Sequence, residues 1–390
     1  MDTVNIIGGG IGGLSLANAL QRAGIDFKLF EQAPRITEVG AAIGISKSAL
    51  DILERLGLHT QVINAGNETR NFHISDKNLK IIRDMRTGSP VTLIHRAKLI
   101  DILVSNLPKE NIQLNAKLTN ISNEKVFSEL TFSNGLKLRS TCTAIADGIQ
   151  SISRKQIFPD LKIRHAGQAI WRGISTMNLP EQYRNTYTEI WFKTKRFLFA
   201  PLDSNSICWL AIKNAAIGGK DNPDTIRQEL LKDFDEFHPF VKELLLNSSN
   251  FIRNDLADLG TEKRKWYQDK IVFIGDAIHA TTPNLAQGGC QAIEDAYCLS
   301  LLMKRSDHNF SEVFPTYQSL REKKVSFIVN ASWRFGKMAQ NPISSRLAKY
   351  FVKYAPNSTV TNLEKKLNDL SYLSLPMTTG AKHQQGKKFH

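Results

Sequence analysis

Apolar positions along the chain switch between two periods, and the switches mark its elements. Val4 to Ile7 is a short, largely apolar run followed by glycines, which predicts a buried parallel strand. From Ile11 to Ala23 the spacing of Leu14, Leu16, Ala17 and Leu20 predicts a helix, with Gly24 as its stop. Phe27 to Phe30 predicts a second strand, ending at Glu31, so the chain opens as β-α-β. A further helix is expected from Ser46 to Leu56, closed by Gly57.

From Asn71 the period shortens. Phe72-His73-Ile74 and Leu79 to Ile82 flank Asp76-Lys77-Asn78, the pattern of a hairpin. Ala97 to Leu107 returns to helical spacing. Strand-like runs follow at 112–118, 126–132 and 136–139, the last two joined by the turn pair Asn134-Gly135. Thr143 to Ala146 predicts another buried strand, and 165–215 is rich in strand-like runs. Residues 222–234 (NPDTIRQELLKDF) read as a helix capped by Asn222, with Pro223 in its first turn. Ile271 to Ile274 predicts a last buried strand. Beyond Gln291 the pattern is helical, with breaks near Pro342, Pro356 and Pro376 and a loosely held tail over 378–390.

The predicted parallel strands near residues 4, 27, 143 and 271 must share one sheet, so a nucleotide-binding domain is interrupted by antiparallel insertions. The expected fold class is α/β: a discontinuous Rossmann-like nucleotide-binding domain with an inserted β-rich domain and C-terminal helices. The expected division is 1–70, 96–164 and 263–330 for the nucleotide-binding parts, 71–95 for a substrate-domain hairpin and 165–262 for the β-rich domain. C-terminal helices are assigned to 331–376 and the tail to 377–390.

Composition changes this picture in two places. The four cysteines, Cys142, Cys208, Cys290 and Cys298, form no CxxC pair, which argues against a metal site or disulfide framework and suits a cytoplasmic location. No apolar run is long enough to span a bilayer, and membrane contact is not expected. Net charge is +14, and residues 331–390 hold ten Lys/Arg against two Asp/Glu. That basic end reads either as a solubilising surface or as an attractor of anionic substrate or lipid. No nucleic-acid motif accompanies it.

Chemistry concentrates at three points. Gly8-Gly9-Gly10-Ile11-Gly12-Gly13 fits G-x-G-x-x-G between a strand and a helix. Gly8 allows the tight turn, Gly10 removes a Cβ that would block a pyrophosphate, and Gly13 permits close helix–strand packing; Gly12 and Ile11 complete the loop. Glu31 stands where a carboxylate would accept from ribose hydroxyls. Asp147-Gly148 follows a second strand, with Ser151 and Arg154 beyond it. Gly275-Asp276 follows a third and leads to His279, Pro283 and Gln287-Gly288-Gly289. Asp276 is placed to accept from a polyol, and the N–H groups near Gly288 and Gly289 to face the electron-rich edge of a ring.

The order and spacing of these three motifs resemble the single-component, FAD-dependent aromatic-ring monooxygenases of the hydroxybenzoate-hydroxylase superfamily. The segments VGAAIGIS (39–46), HRAKL (95–99), AIWRG (169–173) and TTPNLAQGGCQAIEDA (281–296) look most like its urate-hydroxylase, salicylate-hydroxylase and zeaxanthin-epoxidase branch. The resemblance implies FAD as cofactor and NADH or NADPH as a transiently bound co-substrate. It implies oxygen transfer from a C4a-hydroperoxyflavin to a small aromatic or heteroaromatic ring, in a monomer or homodimer. It places Glu31 at the adenosine ribose, Arg96 beside the flavin, Asp147 in flavin and nicotinamide handling, Asp276 at the ribitol, and Pro283 at the isoalloxazine and substrate. The chain departs from the usual Gly-Gln-Gly at Ala286-Gln287-Gly288, where a positive φ would strain alanine.

The β-rich domain should wall the substrate, with Trp171, Arg172, Trp191, Phe192, Arg196, Phe199 and Trp209 as its notable side chains. Strand alternation lets only part of this set share one face. Trp171, Arg196 and Pro283 are the candidate catalytic residues. Trp171 reads equally as core packing. Arg196 is either an anion-pairing or a solvated arginine, and His279 is read as structural. The other readings of the chain are a flavin-dependent reductase or epoxidase acting on an apolar prenyl, terpenoid or polycyclic substrate, and a flavin-binding regulator without turnover.

Overall fold

A computed structural model describes residues 3–37, 41–306 and 309–374. The strands Val4–Ile7, Phe27–Phe30, Thr143–Ile145 and Ile271–Phe273 lie parallel in one six-stranded sheet, with Ile112–Gln113 at one edge and Tyr267–Gln268 at the other. Val4–Ile7, Thr143–Ile145 and Ile271–Phe273 are buried along their whole length, as a parallel sheet covered by helices requires, and only Lys28 of Phe27–Phe30 is exposed. The helices Ile11–Ala23 and Gly288–Arg305 pack on it, and their contact is close because Gly12 meets Ala292.

A second sheet of eight strands is ordered Ile252–Asp258, Arg164–Thr176, Ser206–Asn214, Lys195–Pro201, Thr186–Phe192, Gly66–Ser75, Ile81–His95, Ala42–Ile45. One face packs an aromatic core of Trp171, Phe197, Phe199 and Trp209 against the helices Ile226–Asp233 and Pro239–Leu246. The opposite face looks toward the nucleotide-binding sheet and the long helix Phe310–Met338. A separate three-stranded sheet joins Leu118–Asn123, Ser128–Phe132 and Lys137–Ser140.

Four expectations are corrected. The run 112–118 is two strands, Ile112–Gln113 and one beginning at Leu118, because Asn115 takes a left-handed φ of 54° and turns the chain. The hairpin around Asp76 runs from Gly66 to His95, so it starts ahead of residue 71 and ends at 95 as expected. Its turn is held by Asp76 Oδ1, which accepts from the N–H groups of Asn78 and Lys80. The helix over 222–234 starts only at Ile226 with Thr225 as its cap. Asn222 is diverted into a turn of its own, its Oδ1 accepting from Asp224 N at 2.9 Å. Trp171 faces the aromatic core and not the nucleotide side. It stands opposite Ala211 and Arg253 in register, and its Nε1 donates to Asp221 at 2.8 Å. The C-terminal helices Pro342–Tyr354 and Asn357–Leu367 break where Pro342 and Pro356 stand. Pro376 and the stretch 378–390 lie outside the described residues.

Candidate active site

The three glycine-bearing loops leave the C-terminal ends of neighbouring parallel strands, so the strand order brings them to one edge. Together they line a cleft of about 530 Å³. Gly8 to Gly12 and Glu31 form one end. Asp147 and Gly148 lie along it, and Arg96, Asp276, Gly288 and Gly289 line the other part.

The first loop is built by close approach. A Cβ on Gly13 would lie 1.9 Å from the Gly8 carbonyl oxygen, so only glycine lets helix and strand meet there. At Gly10 the reason is different, because a Cβ there would meet no protein atom within 4 Å. What glycine spares at Gly10 is space in the cleft, beside the amino end of a thirteen-residue helix. Glu31 fastens this loop. Its Oε2 accepts from Gly9 N at 2.6 Å and its Oε1 from Ala33 N at 2.8 Å. Both are hydrogen bonds to a carboxylate, which are stronger than neutral ones.

The second and third loops are tied to each other by Arg154. Its Nη1 donates to the Ala277 carbonyl at 2.8 Å and its Nη2 to that of Ile149 at 2.5 Å. The guanidinium is fully buried, so it acts as a fixed strut. Asp147 lies beside it. Burial raises its carboxyl above the ordinary range, against hydrogen bonds from Ser151 and Ser153 and the charge of Arg154. Its buried Oδ1 has no partner in the protein, which leaves an acceptor for a bound molecule.

Asp276 is exposed at the surface of the cleft, at the start of a turn that is otherwise buried. Desolvation raises its carboxyl, and the charges of His279 and Arg96 pull it back. Arg96, at the start of the helix Arg96–Ser105, is lowered by burial and sustained by Asp276. Below this loop sits a buried ionic cluster. Asp295 Oδ2 accepts from Gly275 N at 3.0 Å and lies 2.5 Å from His279 Nε2, while Arg321 Nε donates to its Oδ1 at 2.9 Å. Burial raises Asp295, but His279 and Arg321 outweigh it and hold the carboxylate well below its usual range. His279 is thus a brace under the Gly275-Asp276 turn.

Pro283 is exposed on the turn Pro283–Leu285, and Gln287 is buried with its Oε1 accepting from Gln291 Nε2 at 3.2 Å. Neither lines the cleft. Ala286 takes φ 52° and ψ 33°, the left-handed conformation in which alanine is strained. The next turn of backbone delivers Gly288 and Gly289 to the cleft.

On the face of the eight-stranded sheet that looks toward this edge, Glu189, Leu198, Leu210 and Arg172 stand side by side in register. Trp191, Arg196 and Ile212 form the next row. Arg196 is buried, with Nε 3.2 Å from Glu189 Oε1 and Nη2 donating to Asn284 Oδ1 at 2.7 Å. It is therefore not solvated, and Glu189 offsets its charge, while its buried Nη1 has no hydrogen-bond partner in the protein. Burial raises the Glu189 carboxyl, and Arg196 opposes the rise. Arg172 is lowered by burial and by the nearby charge of Arg96, and its buried Nε has no hydrogen-bond partner. Arg172 thus takes the place at this wall that was expected of Trp171; strand alternation points neighbours to opposite sides. Glu189, Asn284 and the Asp295–Arg321 pair escaped the sequence reading, since nothing local distinguishes them from surface carboxylates and amides.

The residues present fit FAD: a cradle at Gly10, an acid at each end of the cleft, and an orphaned acceptor at Asp147. A family model described as "FAD binding domain" matches residues 1–332. The chain is 35% identical over 352 residues to an aurachin C monooxygenase/isomerase of Stigmatella aurantiaca, covering 87% of this chain and 90% of that one. It is 27% identical to a 2-heptyl-3-hydroxy-4(1H)-quinolone synthase of Pseudomonas aeruginosa, over 94% of this chain and 97% of the other. Among solved structures, Klebsiella pneumoniae HpxO complexed with FAD and uric acid superposes with a TM-score of 0.85 at 21% identity, covering 94% of this chain and 96% of that one.

Proposed function

Since the chain belongs to the FAD binding domain family and is an FAD-dependent monooxygenase, we propose that it hydroxylates a neutral nitrogen heteroaromatic ring carrying an apolar chain, of the 4-quinolone type. Two relatives support the ring chemistry, one named for a 2-heptyl-3-hydroxy-4(1H)-quinolone and one for aurachin C. The observation that carries the reading is the apolar cluster of Leu198, Leu210 and Ile212 beside the donor Arg172, with the charge of Arg196 offset by Glu189.

In this proposal Glu31 holds the adenosine ribose, and the amino end of Ile11–Ala23 with Gly8 to Gly12 holds the pyrophosphate. Asp276 accepts from the ribitol chain, and the N–H groups at Gly288 and Gly289 face the flavin ring. Arg96 and Asp147 flank it, with Pro283 on the substrate side. Bound FAD supplies the hydride acceptor for NADH or NADPH and the centre at which dioxygen is activated. The protein's own task is to position the ring and exclude water. Leu198, Leu210 and Ile212 offer an apolar wall, and Arg172 offers an N–H donor toward a ring oxygen.

The test is nicotinamide oxidation by the FAD-loaded protein with a 2-alkyl-4-quinolone, salicylate or urate, using ¹⁸O₂. The expected result is stimulation by the quinolone and label in the organic product. Stimulation by salicylate alone would overturn the substrate class. Turnover without label in the product would favour a reductase.

A further inference from the structure

The helix Pro342–Tyr354 presents its large side chains to water and its small ones to the protein. Ser345 and Ala348 are buried, and Val352 packs with Ile74, Trp191 and Phe335. Ile343, Leu347, Tyr350, Phe351 and Tyr354 recur at i, i+4, i+7, i+8 and i+11, a single stripe. They are 55% (Leu347) to 74% (Ile343) exposed. Scattered exposed apolar residues need no explanation, but five in one stripe form a contiguous patch, which does. The rings of Tyr350 and Tyr354 sit 4.7 Å apart, so part of the patch is pre-organised.

Charge decides what covers it. Arg346, Lys349 and Lys353 run along one border of the stripe, and the helix contains no acid. In a two-fold dimer closed through this face, that basic border would sit close to its own copy. An anionic bilayer surface satisfies both features. Apolar and aromatic side chains enter the headgroup boundary while lysine and arginine reach lipid phosphates. Among the described residues no helix is long and apolar enough to cross a membrane, so contact would be from one side.

We propose that this helix docks the protein onto anionic lipid membranes. The buried side of the same helix touches Trp191, which stands opposite Arg196 in register. Docking therefore brings the substrate-facing sheet near the lipid. The proposal rests on the helix surface and not on the identity of the substrate.

The experiment is co-sedimentation of the full FAD-loaded chain with vesicles of phosphatidylglycerol and phosphatidylcholine, against phosphatidylcholine alone. Binding is expected only with the anionic lipid, and it should weaken as salt rises from about 0.1 to about 0.5 M. The double variant Leu347→Ser, Phe351→Ser should bind roughly tenfold or more weakly. Its FAD content and melting temperature should match the parent. Failure to sediment with anionic vesicles, or a variant that binds as well as the parent, overturns the proposal. So does a concentration-dependent dimer in sedimentation velocity that the same variant dissolves, since a second copy would then be the occupant.

Discussion

Arg196 Nε lies 3.2 Å from Glu189 Oε1, and both residues are buried on the face of the sheet that looks toward the cleft. A pair of this kind is costly to break from one side. Glu189→Gln leaves a buried cation without its counter-charge and is expected to destabilise the protein by about 3 kcal/mol. The same change leaves the charge of Arg196 uncancelled on the sheet face proposed to meet the substrate. The KM for an aromatic carboxylate should then fall relative to that for a neutral quinolone, which steady-state kinetics on both substrates would read. An unchanged ratio of KM values would remove Arg196 and Glu189 from substrate selection.

Gly10 and Gly13 should respond oppositely to the same substitution. Gly13→Ala places a Cβ 1.9 Å from the Gly8 carbonyl and should prevent the first loop from forming, seen as loss of soluble folded protein. Gly10→Ala meets only the cleft, so the stability of the apoprotein should be kept while FAD affinity falls about tenfold or more. Denaturation of the apoprotein and fluorescence titration with FAD separate the two.

Ala286 sits at φ 52°. Replacing it with glycine relieves the left-handed strain and should stabilise the protein by about 1 kcal/mol, read as a shift of the denaturant midpoint at constant slope. Ala286→Val should do the reverse, because a β-branched residue is least tolerant of that conformation.

Asp276 carries a pH signature. Its folded-state pKa is raised, by desolvation first, so its contribution to stability is present below the unfolded value and is lost as pH rises through the folded one. At neutral pH the ionised carboxylate therefore opposes folding of the apoprotein. Asp276→Asn is expected to stabilise the apoprotein near pH 7, with the difference closing below about pH 4. The variant should at the same time bind FAD about tenfold more weakly, having lost a charged acceptor for the ribitol. Retained tight FAD would end that assignment.

Part of this was legible along the chain. The glycines of the first loop, Asp147-Gly148 and Gly275-Asp276 follow apolar runs, and tight turns at strand ends are local demands on the backbone. That the four central strands share one parallel sheet follows from those runs, whereas their order in it comes from the fold. Even the strain at Ala286 was foreseeable from a missing glycine.

Other features are decided only by what packs where. Alternation says that Trp171 and Arg172 point to opposite sides, but not which side meets the cleft; the helices covering Trp171 settle that. A basic residue at 196 reads the same whether free or paired, and only the neighbouring strand brings Glu189 to it. Helical spacing over Pro342–Tyr354 places five large apolar residues on one stripe without saying which side of the helix is buried. In the fold the sheet surface accepts Ser345 and Ala348 instead and turns the stripe outward. Periodicity is a property of the local chain, whereas the choice of buried face depends on the shape of a surface built from residues far away in sequence.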